Sequence, residues 1–134
     1  MTENPGHRVW IILGGLAGLA AVAMEAAAAH ALAPRIGSVS LGLVRSANQM
    51  LGWHALALVL CGIWAERVGG HGAGRLAHLA GMAFTLGVLG FCGSLYLVAL
   101  AGLRLPGVAP AGGVLLMLGW LLLGLSALHR ARPG

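Results

Sequence analysis

The run WIILGGLAGLAAVAMEAAAAHAL, residues 10–32, decides the fold class. A helix needs about 20 apolar residues to cross the hydrocarbon core of a bilayer. This run is long enough, and it carries Glu25 and His30 within it. One ionised carboxylate near the membrane centre costs roughly 2.5–3.5 kcal/mol on insertion scales, so Glu25 needs a partner, water or a proton.

Three further runs of the same character follow, at about residues 44–65, 79–101 and 108–128. Each can span with modest tilt, and the four together use nearly all of the 134 residues. That arithmetic leaves short connections and excludes a large extramembrane catalytic domain. Composition agrees, since 59% hydrophobic against 8% charged is far from a soluble globule. The prediction is a single transmembrane domain over residues 1–134, an all-α integral membrane four-helix bundle whose first partner is the lipid bilayer. The run 10–32 reads as a retained span: Pro34 directly follows the candidate small-residue cleavage site, and the run is longer than the apolar core of a usual signal peptide.

The formal charge of +5 comes from eight arginines, with neither lysine nor aspartate in the chain. In a membrane chain, arginines at segment ends act as flanking anchors, so no nucleic-acid partner is predicted. Arg8, Arg67, Arg75, Arg130 and Arg132 fall on one side of a four-span arrangement, and Arg35, Arg45 and Arg104 on the other. The bias predicts both termini in the cytoplasm, with Trp10 and Trp64 at the inner interface as an aromatic belt. Cys61 and Cys92 fall at different depths and read as small buried residues, not a disulfide.

Small residues recur at helical spacing. Gly14, Gly18, Ala21 and Glu25 follow i, i+4, i+7 and i+11, as do Ala83, Gly87, Gly90 and Ser94, while Gly112, Gly119 and Ser126 are spaced by seven. Each set lies on one helix face, and small residues let membrane helices approach closely. Glu25 is therefore predicted to point into the bundle. His54 shares a face with Ala47 and Cys61 and is predicted to do the same.

Placing each span by its direction brings Glu25, His30, Asn48, Gln49, His54, Ser94 and Tyr96 into the outer half, with little but Thr85 and Ser126 in the inner half. The polar cluster offers a buried Glu25–His54 pair. Such a pair either fixes helix register or moves a proton or cation. His71 and His78 read as solvated loop and interface residues. No zinc or haem spacing is present, the glycine-rich turn after Arg67 lacks the lysine of a phosphate loop, and without aspartate no Ser-His-Asp set can form. No catalytic residue, metal or cofactor is predicted.

Four motifs carry a resemblance. These are Ala29-His30-Ala31-Leu32 closing the first span, His54-Ala55-Leu56-Ala57-Leu58 in the second, Gly93-Ser94-Leu95-Tyr96-Leu97 late in the third, and Pro110-Ala111-Gly112-Gly113 followed by Leu118-Gly119-Trp120 in the fourth. In this order they resemble the bacterial domain of unknown function family numbered 423, which has a eukaryotic relative called transmembrane protein 256. The resemblance covers nearly the whole chain and implies a four-span protein of the bacterial cytoplasmic (inner) membrane, with no catalytic set to carry over. His30, His54, Ser94 and Tyr96 match its pattern. Glu25, Ala26 to Ala28 and the lead-in to His54 depart from it. Two functions stay open: a non-enzymatic membrane subunit or assembly factor, packing as a homo-oligomer or within a larger membrane complex, and a small transporter or proton relay built on Glu25 and His54.

Overall fold

The computed structural model describes residues 5–130, without the side chain of Arg130. The polar start 1–4 and the basic tail 131–134, with Arg132, lie outside the described residues. Helix α1 runs Gly6–Ala27 and closes in a π-helical turn, Ala28–Leu32; α2 is Ser38–Val68, α3 Ala73–Ala101 and α4 Val108–Arg130. All four are long and apolar enough to cross a membrane, and no strand occurs among the described residues. The fold is an all-α, membrane-spanning four-helix bundle.

Pro34 explains how α1 ends. It has no N–H to give the carbonyl four residues back, and the preceding turn widens so that the Ala33 N–H bonds to the Ala28 carbonyl at 3.2 Å, an i→i−5 link. In the connection between the first two apolar runs, residues 33–43, α2 already begins at Ser38, capped by extended Gly37. Helix α3 likewise starts at Ala73, well before the apolar run at 79. Hydropathy marks where the hydrocarbon core ends, whereas helical hydrogen bonding continues into the headgroup zone. At 1.5 Å per residue the 31 residues of α2 extend about 46 Å, beyond a hydrocarbon core of about 30 Å.

The turns are short. Gly69 and Gly72 take φ of 73° and 45° between α2 and α3, values that only glycine adopts freely. Gly102 ends α3 in the left-handed region, with the Leu103 N–H reaching back to the Leu97 carbonyl at 3.2 Å, a Schellman-type close. The start of α1, the end of α4 and the 69–72 turn sit at one end of the bundle, here the terminal end. The 33–37 and 102–107 connections sit at the other, the loop end.

Packing follows chain order: α1 on α2, α2 on α3 and α3 on α4, with α1 barely meeting α3. In the most apolar stretch of each helix, 44% of α2 and 39% of α3 is buried, against 17% of α1 and 22% of α4. Helices α2 and α3 are thus the centre, and α1 and α4 flank it. Phe84, Leu58, Val44 and Cys61 are the largest side chains wholly enclosed.

Glycine sets the closest crossing. Gly112 of α4 lies on the backbone of α3: a Cβ there would run into the Phe91 nitrogen and come within 2.9 Å of the Gly87 carbonyl oxygen. Gly87 and Gly90 form the α3 side of that crossing, and Gly119 accommodates the ring of Phe84. Between α1 and α2 the contact is tight at Gly14 and looser at Gly18 and Gly52. A Cβ on Gly14 would come within 2.7 Å of the Ala55 carbonyl oxygen, one on Gly18 would stand 3.7 Å from the Ala55 Cβ, and one on Gly52 would stand 4.0 Å from the Ala21 Cβ.

Candidate functional site

Glu25 sits near the end of α1, and a groove lined by Ala21, Val22, Glu25, Arg45, Asn48 and Gln49 opens between α1 and α2. Glu25 was predicted to point into the bundle. It is instead exposed at the α1–α2 edge, while Ala28, three residues on, takes the enclosed position beside Val44 of α2. Its carboxylate Oε2 accepts from Asn48 Nδ2 at 2.7 Å. Asn48, only 5% exposed, accepts in turn from the Tyr96 hydroxyl at 2.6 Å through Oδ1. One chain of bonds therefore ties α1, α2 and α3 together.

His54 belongs to a different group. Its Nδ1 meets the Met50 carbonyl oxygen one turn back at 2.6 Å, and its Nε2 accepts from Trp120 Nε1 at 3.1 Å. The two bonds occupy both ring nitrogens of a neutral imidazole with the proton on Nδ1. Phe84 and Trp120 enclose the ring, with centroids 5.5 and 6.0 Å from it. The expected Glu25–His54 pair does not form. Both residues lie toward the protein on sequence spacing, but Asn48 stands about 1.7 turns nearer the loop end on the same helix and bonds to Glu25. Helical spacing fixes the face of a residue, not which neighbour its side chain reaches.

The remaining predicted residues do not join these groups. His30 is exposed on the π turn, and Gln49 is exposed on α2. Ser94 is buried at 5% exposure, with its Oγ lacking any hydrogen-bond partner.

The terminal end is more structured than sequence suggested. Trp10 and Trp64 were placed in an interfacial belt, and His71 and His78 were read as solvated loop and interface residues. Trp10 is buried at 8% exposure against Gly81, and its Nε1 donates to His78 Nδ1 at 2.8 Å. Trp64 Nε1 donates to Ser126 Oγ at 2.6 Å, and Ser126 donates to the Ala73 carbonyl at 2.9 Å. An indole N–H deprived of water needs an acceptor, and that requirement was the available signal. His7 Nε2 stands 3.7 Å from Glu66 Oε1, a loose pair at the surface of the same end. Cys61 and Cys92 are buried free thiols. Among the described residues no three of His, Cys, Asp and Glu converge as metal ligands would.

Two kinds of comparison place this bundle among known proteins. The model of a family described as "Protein of unknown function (DUF423)" matches residues 24–113. The chain belongs to the DUF423 family. The matched segment contains Glu25, Asn48, His54, Ser94 and Tyr96, so the whole Glu25–Asn48–Tyr96 chain falls within it. A "UPF0382 membrane protein" of Staphylococcus epidermidis is 33% identical over 125 residues, covering 92% of this chain and 98% of the relative. The "UPF0382 inner membrane protein YgdD" of Escherichia coli is 30% identical over 131 residues, covering 95% of each. No solved structure matches the chain significantly. With four apolar helices and relatives named as membrane proteins, this DUF423 member is a multi-pass membrane protein.

Proposed function

We propose that this protein is a non-enzymatic membrane subunit or assembly factor of the bacterial cytoplasmic membrane, with both termini cytoplasmic, that packs against itself or within a larger membrane complex. One observation carries the reading. Asn48, Tyr96, His54, Trp120, Trp64 and Ser126 are engaged in bonds between helices, while the one acidic side chain within the four apolar runs, Glu25, stands at the outer edge of α1 beside Arg45 and Gln49. A partly bonded carboxylate facing out of a membrane bundle is costly against lipid and favourable against a polar partner helix. The arginine distribution supports the orientation, and the inner-membrane name of the Escherichia coli relative supports the compartment.

The alternative, a relay built on Glu25 and His54, needs a step between two separate hydrogen-bond groups, one of which already uses both imidazole nitrogens. The deciding experiment is native mass spectrometry of the untagged protein extracted in mild detergent from its own membrane. The expected result is a homo-oligomer or a complex with other subunits that Glu25→Ala dissociates. A protein that stays monomeric, and whose proton flux in liposomes is abolished by Glu25→Ala and by His54→Ala, overturns the proposal in favour of transport.

A further inference from the structure

At the loop end a cleft of about 550 Å³ opens between the start of α2, the last third of α3 and the connection into α4. Its walls are aliphatic, from Val39 and Leu43 on one side and Leu95 and Val98 on the other. Two polar side chains line it. Arg104, in the connection, is exposed and has no ion pair among the described residues. Ser94 is 95% buried, and its hydroxyl has no hydrogen-bond partner in the fold.

An unbonded buried hydroxyl is unfavourable by itself, since it has lost water and gained nothing. Ser94 faces a cleft whose volume falls in the range of about 300–1,000 Å³ typical of small-ligand sites. The arrangement asks for a ligand with an anionic group at the mouth, an acceptor deeper in, and a long apolar remainder against the aliphatic walls. No acidic side chain lines the cleft, so a headgroup that also carries a cation finds nothing to balance it.

We propose that this cleft is a binding site for one anionic phospholipid, its phosphate on Arg104, an ester carbonyl accepting from the Ser94 hydroxyl, and an acyl chain along Leu43, Leu95 and Val98. The cleft belongs to a single leaflet, because Arg104 anchors the headgroup at the loop end. The site does not depend on the protein being a subunit.

The test is native mass spectrometry of delipidated protein titrated with phosphatidylglycerol, and separately with phosphatidylcholine. One phosphatidylglycerol per chain is expected, bound at least several-fold more tightly than phosphatidylcholine. Arg104→Gln should abolish that preference. Ser94→Ala should weaken phosphatidylglycerol roughly 3- to 10-fold, the range of one net hydrogen bond. The thermal midpoint of lipid-free Ser94→Ala should equal or exceed that of the parent, because the hydroxyl has no partner within the fold. Loss of lipid without loss of stability is the pattern that only a ligand contact produces. Equal occupancy in parent and both variants overturns the assignment, as does inorganic phosphate displacing phosphatidylglycerol at concentrations that saturate Arg104.

Discussion

Asn48 is the residue on which the loop end turns. It is buried, and it donates to Glu25 while accepting from Tyr96, so a single amide satisfies a carboxyl oxygen on one helix and a phenol on another. Interhelical hydrogen bonds in membrane proteins average about 0.6 kcal/mol, with a maximum near 1.7. Tyr96→Phe removes one bond and should cost about 0.6 kcal/mol. Asn48→Ala removes two and leaves both the carboxylate and the phenol without partners, so it should cost about 1–3 kcal/mol. Unfolding by denaturing detergent, followed by loss of helicity, measures both. Equal costs would mean that the bond to Glu25 contributes nothing. Sequence spacing brought Glu25, Asn48, His54 and Tyr96 into the outer half of the membrane, but partner choice was not legible: Asn48 and His54 are less than two turns apart on one helix, and how α1 packs on α2 decides which of them Glu25 reaches.

At the scale of helices, contact is set by how nearly backbone meets backbone. The α3–α4 crossing at Gly112 has no room for a methyl group, because the obstruction is the main chain of α3, which cannot swing aside as a side chain can. Gly112→Ala should destabilise by roughly 1–3 kcal/mol, as overpacking does. Gly18→Ala places its methyl at ordinary contact distance from Ala55 and should be near neutral. The same detergent titration separates them, and a cost at Gly18 equal to that at Gly112 would refute this account of the crossing. The number and type of elements were legible because a bilayer imposes a length on any apolar helix. The starts of α2 and α3 were not, since hydropathy reports solvent preference and not backbone bonding. Nor were the indole partners at the terminal end, where Trp10 reaches His78 across 68 positions of sequence.

The described residues make an even number of crossings, so the start of α1, the end of α4 and the 69–72 turn share one side while residue 37 stands on the other. The added Cβ at Gly37 or Gly70 meets nothing within 4 Å, and neither glycine has positive φ, which makes both suitable for a single introduced cysteine. With Cys61 and Cys92 buried, Gly37→Cys should react with an impermeant maleimide on intact cells, and Gly70→Cys only after permeabilisation. The reverse pattern would invert the orientation, and labelling of both from one side would remove a crossing. The chain-order packing also bears on how the protein is made. Because neighbours in space are neighbours in sequence, the first three helices can associate while the fourth is still on the ribosome. At that stage the imidazole Nε2 of His54 has no Trp120 to meet. An unmet acceptor therefore marks the unfinished chain within the bilayer, and arrival of the last helix silences it.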